Sequence, residues 1–454
     1  MKTYIYFLFG ILVLAILPLR SDDGSKVVAG EKKTAPVVTK ADSEDWKPDW
    51  LTELSLTFRE SYDSNVYDSN VPPLANRDSM ISTISPKIDI NFVPMIGDKD
   101  AGLEKLTLCY NPVISYYHAE TGENNTAHNI SNLIKGEAGD FSYDLSNLFT
   151  VVDGNTVSLA YPNGYNGYAA RAAWGRRSHL DEIGKLSLCY DISKDWFVRT
   201  TAQTLYQDFG TRLMSMVPGY LNFIDRFDVN VGPDVGYHFT KDFAVTLGYR
   251  AGHQGQSIFG NNQGPTGSGG SDNNNYQRAL VGLEGKPWPW LKLEISAGPD
   301  FRHYGNDIPT DSAVNEDRNF NRIFCDSKAT FLLTRNDTLS FLAKQWQWLS
   351  STSVATYQDE TYRMGYKRQW TKDFSSEIFI QHAEVDYDSY TPPGRDDSVN
   401  TVGTTLVYQL NKHVTMDFGY SVDRGGSAYM PGAIQPVGRD FTCHLVTLGT
   451  AYKF

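Results

Sequence analysis

The chain has 454 residues, a formal charge of −12 and a mean hydropathy of −0.39, yet 13 % of its residues are aromatic. It has no Lys/Arg blocks interleaved with aromatics, which argues against nucleic acid as a partner. After residue 20, no stretch reaches the ~18–20 apolar residues a spanning helix needs. Rich aromatics without overall hydrophobicity suit a wall that is apolar on one strand face and polar on the other, and the length suits one large barrel.

Residues 1–20 (MKTYIYFLFGILVLAILPLR) join an early Lys to an apolar stretch from Tyr4 to Leu19. We read 1–29 as a signal peptide for export, with an uncleaved anchor helix as the competing reading. No Cys follows the apolar stretch, so a lipoprotein is not expected. Residues 30–47 are polar and aperiodic, a flexible periplasmic lead-in.

From 48 to 454 the text breaks into alternating segments joined by two kinds of connection. The short kind recurs as ISKDW (192–196), FTKDF (239–243), KPWPW (286–290), TRND (334–337), TKDF (371–374) and LNKH (410–413), each rich in turn formers. The long kind is rich in Gly, Asn, Asp, Ser and Pro. Short turns at one end and long loops at the other predict an all-β transmembrane antiparallel barrel in outer-membrane lipid, turns in the periplasm and loops outside.

Three strands are expected between 50 and 117 and thirteen from 183 onward. Between 129 and 182 the pattern is weaker. It reads as a descending strand at 137–151, a periplasmic stretch through YPNG (161–164) and an ascending strand at 166–176. The total is 18, with 16 the nearest alternative. Trp196, Trp288, Trp290 and Trp370 sit at short turns and Trp50 opens the first strand. With Tyr452 and Phe454 they form the expected aromatic girdle.

Assigning faces from the alternation turns Lys87, Asp89, Arg199, Asp228, Asp234, Arg250, Arg278, Glu284, Lys292, Glu294, Asp300, Arg302, Lys328, Arg363, Lys367 and Asp417 to the lumen. Such charges either tie neighbouring strands or form opposed flanks of a channel. The inward positions contain few large apolar groups, so water, an inward-folded loop or a partner must fill the lumen. The candidate constricting loops are 257–274 and 306–317, the second carrying Asp307, Asp311, Glu316 and Asp317. The tandem YDSNV at 62–71 offers oxygen ligands without EF-hand spacing, and Asx turns explain the same letters.

Cys109, Cys189, Cys325 and Cys443 are widely spaced, implying neither a disulfide framework nor a zinc site. No cofactor is implied. His238, His253, His303, His382 and His444 are linked by no short motif to a nucleophile, so an enzyme is not expected.

The first-strand text LTELSLTFRESYDSNV (51–66), the repeated strand–TKD–strand hairpins and the terminal AYKF resemble outer-membrane β-barrel, porin-like proteins of Gram-negative bacteria. The resemblance spans 48–454. Similar barrels with a Tyr-Asp-x-Asn element after the first strand, here Tyr62, Asp63 and Asn65, are associated with exopolysaccharide loci, which implies polysaccharide passage. The terminal aromatic strand implies recognition by the barrel-insertion machinery. The chain lacks the acidic constriction-loop motif of general trimeric porins. The expected function is passage of hydrophilic solutes. Secretion of a polysaccharide with a periplasmic or homo-oligomeric partner, or a structural barrel that binds through its loops, are the alternatives.

Overall fold

The computed structural model describes residues 47–454 except 71, 73, 97–101, 157–174, 210–224, 258–272, 305–320, 350–355, 388–394 and 430–439. The expected signal peptide and nearly all of the lead-in lie outside the described residues. So do Asp307, Asp311, Glu316 and Asp317.

Eighteen antiparallel strands follow in order: β1 (Leu51–Asp63), β2 (Ser79–Asn91), β3 (Leu103–Tyr117), β4 (Asn125–Ala138), β5 (Phe141–Asp153) and β6 (His179–Asp191). They continue as β7 (Trp196–Phe209), β8 (Asp225–Thr240), β9 (Phe243–Ser257), β10 (Asn274–Trp288), β11 (Leu291–Tyr304) and β12 (Asn321–Leu332). The last six are β13 (Asp337–Leu349), β14 (Thr356–Gln369), β15 (Phe374–Tyr387), β16 (Arg395–Gln409), β17 (Val414–Tyr429) and β18 (Phe441–Lys453). Each pairs with the next, and β18 pairs with β1 from Ser55↔Lys453 to Asp63↔Leu445, so the sheet closes. The Phe454 amide extends that seam, donating to the Leu54 carbonyl at 2.9 Å. Strands of 12 to 16 residues suit tilted crossings of a bilayer.

Four of the short turns share one chemistry. A Ser, Thr or Asn three residues before the new strand accepts the amides that the reversing chain exposes. Ser193 accepts from Asp195 and Trp196, Thr334 from Asn336 and Asp337, Thr371 from Asp373 and Phe374, and Asn411 from His413 and Val414. This is why the S/T/N-x-D/N/H text repeats.

One stretch departs from the sequence reading. The descending strand expected at 137–151 instead covers the end of β4 and most of the ascending β5, with a reversal at Gly139 and Asp140 between them, and the descending strand is β4 itself. Gly139 has φ +62°, a left-handed conformation that favours glycine. The ascending strand expected at 166–176 falls mainly outside the described residues, and Gly175 and Arg176 form a turn. YPNG also lies outside them. The total is still 18, reached by a different partition.

The outer face is apolar. Val229, Val231 and Val235 on β8, Leu247 and Tyr249 on β9, Ile378 and Ile380 on β15, and Leu448 and Tyr452 on β18 are exposed there. Trp196, Trp288, Trp290, Trp370, Tyr452 and Phe454 are also exposed, at the turn end, and Trp50 lies just before β1. Trp288 stacks on Trp290 with ring centroids 5.5 Å apart, and Tyr452 meets Phe454 edge to face at 4.8 Å.

Replacing outward Val231 by Arg sets a charge against hydrocarbon at a cost of about 2–4 kcal/mol near the midplane. Inward Ser296→Arg faces the lumen near Asp326. We expect heat-modifiable gel mobility to show poor insertion for Val231→Arg and near-normal insertion for Ser296→Arg.

Candidate functional site: a narrowed lumen

The inner face is a web of ion pairs. On β7, Arg199 donates to Asp234 at 2.9 Å and forks onto Glu284 at 2.9 and 2.6 Å, spanning β7 to β10. Arg250 grips both oxygens of the same Asp234 at 2.6 and 3.0 Å. Arg278 and Arg302 share Asp300, each at 2.9 Å. Tyr276 and Gln254 both donate to Asp228 at 2.6 Å. Elsewhere Lys87 meets Glu53 at 2.7 Å, Arg363 meets Glu377 at 3.0 Å, Arg59 meets Asp417 at 3.2 Å, and Lys292 meets Glu294 at 2.5 Å. Asp89, Lys328 and Lys367 lie at the inward register positions of β2, β12 and β14.

These pairs are not equally wet. The side chains of Asp300 and Arg302 are 1 % and 0 % exposed, so they work as ties inside the wall rather than as free lumenal charges. Lys292 and Glu294 are about half exposed.

The sequence reading missed the element that narrows the lumen. The β12–β13 ladder stops at Cys325↔Gln345, although β12 continues to Asn321 along β11 and β13 continues to Leu349 along β14. Beyond that point the β13–β14 hairpin turns inward. The Gln347 carbonyl accepts from Gln254 on β9 and Arg302 on β11, both at 3.2 Å. The Leu349 carbonyl accepts from Arg226 on β8, which also reaches the Tyr357 hydroxyl at 3.1 Å. Leu349, Gln347, Thr356, Tyr357 and Gln358 are buried accordingly. Inner-face Arg322 of β12 reaches outer-face Asp386 of β15 at 3.4 Å, as expected if the two strands between them have moved inside the wall line.

The inner face also carries large apolar groups that the sequence reading did not expect. Trp346 and Trp348 on β13 point inward, Trp348 lying under the Arg226 guanidinium at 4.8 Å. In the text of β13 these two tryptophans look like girdle residues. Only the hairpin's inward turn shows them to be lumenal.

Opposite stands the β1–β2 loop (64–78). Asp63 and Asn65 spend their side chains on the loop's own backbone: Asp63 accepts the Asn65 amide at 2.8 Å, and Asn65 accepts the Ser69 amide at 3.2 Å. Val66, Tyr67 and Leu74 pack on Ile81 and Tyr117. Arg177 forks onto Glu123 at 2.9 Å through both terminal nitrogens, Arg176 adds a third contact at 2.9 Å, and Arg176 also holds the Val66 carbonyl. Burial pushes the Glu123 carboxyl up, but the Arg177 and Arg176 guanidiniums outweigh it and hold it below the ordinary range.

So anchored, the loop presents Asp68 to the lumen in a left-handed conformation, φ +48°. Burial first, then the charges of Asp63 and Asp423, raise its pKa to about 7 against the pull of Arg176. Between this loop and the folded-in hairpin lies a cavity of about 780 Å³. Its walls include Asp68, Asp181, Asp228, Asp326, Asp359 and Asp423 on one account, and Lys185, Arg226, Arg278 and Lys344 on the other.

Among the described residues, no group of three or more His, Cys, Asp or Glu is placed to hold a metal ion. His253, His382 and His444 face outward and bond to Asn275, Asn400 and Tyr420 at 2.9–3.0 Å.

No protein-family model matches the chain, and no curated protein matches it in sequence. Among solved structures, it is similar in fold to OccAB3 of Acinetobacter baumannii, at 8 % identity and a TM-score of 0.43, over 88 % of this chain and 99 % of that one. OpdK of Pseudomonas aeruginosa with vanillate is similar at 8 % identity and a TM-score of 0.42, over 88 % and 98 %. A loop-deletion form of OmpT from Vibrio cholerae is similar at 8 % identity and a TM-score of 0.36, over 89 % and 100 %. Likenesses this distant place neither a family nor a substrate on the chain.

Asp300→Asn leaves two buried guanidiniums without their shared carboxylate, a loss of about 3–5 kcal/mol. Glu294→Gln disturbs an exposed pair, for which about 0–1 kcal/mol is typical. We expect the temperature at which the folded gel band converts to the unfolded one to fall clearly for the first and barely for the second.

Proposed function

We propose that the protein is an outer-membrane channel that passes small hydrophilic solutes between the anchored β1–β2 loop and the folded-in β13–β14 hairpin. The observation that carries this reading is the cavity of about 780 Å³ inside a closed barrel, walled by charges of both signs. A polar, water-accessible lumen within an apolar outer band is what a solute path needs, and charges are cheap there. Six lining carboxylates against four lining cations favour cations modestly. Export by the N-terminal apolar segment and insertion guided by the Phe454 strand complete the proposal. The lining constellation is one of binding and selection rather than of nucleophilic chemistry, so the proposal is non-enzymatic.

Purified protein in a planar bilayer should give stable conductance steps. Correctly folded protein that gives none would favour the structural or adhesive reading. The selectivity has a pH signature. As pH rises through about 7, Asp68 changes from neutral to charged, so cation preference in a salt gradient should increase. Asp68→Asn should flatten the change in reversal potential between pH 5.5 and 8. An unchanged pH response in that variant would remove Asp68 from the path.

A further inference from the structure

The upper ends of β12 and β13 have matching backbone edges that the ladder does not use. The Leu332 amide donates to the Trp290 carbonyl, and the Gln369 amide donates to the Asn336 carbonyl, both at 2.8 Å. Backbone groups along a strand point alternately to its two neighbours, so even-numbered residues of β12 face β11 and even-numbered residues of β13 face β14. The odd-numbered edges of β12 and β13 therefore face each other. Extending the register past Cys325↔Gln345 sets Ile323 opposite Gln347 and Asn321 opposite Leu349 as hydrogen-bonded pairs. The carbonyls that would accept from β12 there are those of Gln347 and Leu349. Side chains take these two carbonyls instead, Gln254 and Arg302 that of Gln347, and Arg226 that of Leu349.

We propose that the upper β13–β14 hairpin, residues 346–349 and 356–359, is a gate with two pairing states. It is closed when side chains hold it in the lumen, and open when the β12–β13 ladder zips up to Asn321↔Leu349. The proposal rests on the channel reading and names how that passage is regulated. The carbonyls of Gln347 and Leu349 are the switch, because one set of partners keeps the hairpin inside and the other keeps it in the wall. Trp346 and Trp348 travel with it. Closed, they stand in the cavity, and open, they line a wider lumen. The Arg322–Asp386 contact, from an inner face to an outer one at 3.4 Å, belongs to the closed state, because an open β13 and β14 stand between them. The outer face suits both states. Gln347 lies ten residues above Asp337 and Gln358 eleven above Gln369. At roughly 3.3 Å per residue and a tilt of about 40°, that is about 25–28 Å, the top of an apolar band about 25 Å tall. Swung outward, these amides meet headgroups and water, and the neighbouring Glu360, Glu384 and Asp386 extend the same polar face.

Two measurements on the full chain with Cys109, Cys189, Cys325 and Cys443 changed to Ser test the gate. Ile323→Cys with Gln347→Cys captures the open state, because the closed state leaves Ile323 60 % exposed outside and Gln347 2 % exposed within. Ser327→Cys with Ala343→Cys is the reference pair inside the ladder. Under copper phenanthroline the reference pair should crosslink promptly, and the open-state pair at least tenfold more slowly but to completion, as the minor population is drawn off. A pair that stays unlinked after a hundredfold longer exposure has no open state, and one as fast as the reference has no closed state. Either result overturns the proposal. In planar bilayers the reduced open-state variant should step between two levels, and the oxidised one should hold only the upper, at least twofold above the lower. Arg322→Cys with Asp386→Cys, bridged by a short bis-maleimide, should hold only the lower. A conductance that neither bridge changes also overturns the gate. Absence of conductance in every form refutes the channel reading instead, while the crosslinking rates still report the hairpin, so the two failures are distinguishable.

Discussion

Every backbone amide and carbonyl that crosses hydrocarbon must find a partner within the protein, and this constraint organises the whole molecule. A closed ladder meets it almost everywhere, from the first pairing of β1 with β2 to the seam where the Phe454 amide meets the Leu54 carbonyl. Where the ladder stops, between upper β12 and upper β13, side chains take over. Arg226, Gln254 and Arg302 donate to the carbonyls of Gln347 and Leu349. Arginine suits the task because its fork carries several donors and stays charged. One guanidinium, that of Arg302, bonds a carbonyl of β13, a carboxylate of β11 and amide oxygens of β9 and β10. The narrowed lumen therefore follows from hydrogen-bond satisfaction as much as from loop length.

The same logic sorts the inward charges into two populations. Around Asp234 and Asp300, each carboxylate is shared by two guanidiniums and largely removed from water. Such groups are costly to bury singly, so they persist only as satisfied networks. They stiffen the β7–β11 wall against which the hairpin rests. Asp68, Asp326, Asp359 and Lys344 stand at the cavity instead and set the field a solute meets. Charge of either sign at an inward register position thus reports face, while burial decides between scaffold and path.

Much of the barrel was legible because its signals are local. Alternation with period two assigns faces within one strand, and the Ser/Thr/Asn that accepts turn amides marks four of the short reversals without reference to the rest of the chain. The text around 129–182 misled for an equally local reason. Gly139–Asp140 is a two-residue reversal inside a polar run, whereas YPNG carries stronger turn letters and drew the boundary away from it. The inward hairpin was illegible for a different reason. β13 alternates normally through Trp346 and Trp348, and nothing in its own residues records that β12 stops pairing at Cys325. That fact belongs to two strands at once.

Among the described residues, the β1–β2 loop and the β13–β14 hairpin also differ in how firmly they are held. The β1–β2 loop is fixed by its own Asx turn, by an apolar cluster and by the Glu123–Arg176–Arg177 ion group, so its position draws on several independent interactions. The β13–β14 hairpin rests on donors from β8, β9 and β11 meeting two carbonyls. Water offers a carbonyl a comparable hydrogen bond, so the net advantage of each contact is modest, about 0.5–1.5 kcal/mol for a neutral bond and more for a guanidinium. The rigid side of the passage is therefore the acidic loop, and the yielding side is the aromatic hairpin. A yielding wall segment beside an interrupted ladder concentrates the barrel's capacity for rearrangement at one place, while the other strand seams, paired along most of their length, hold the cylinder closed.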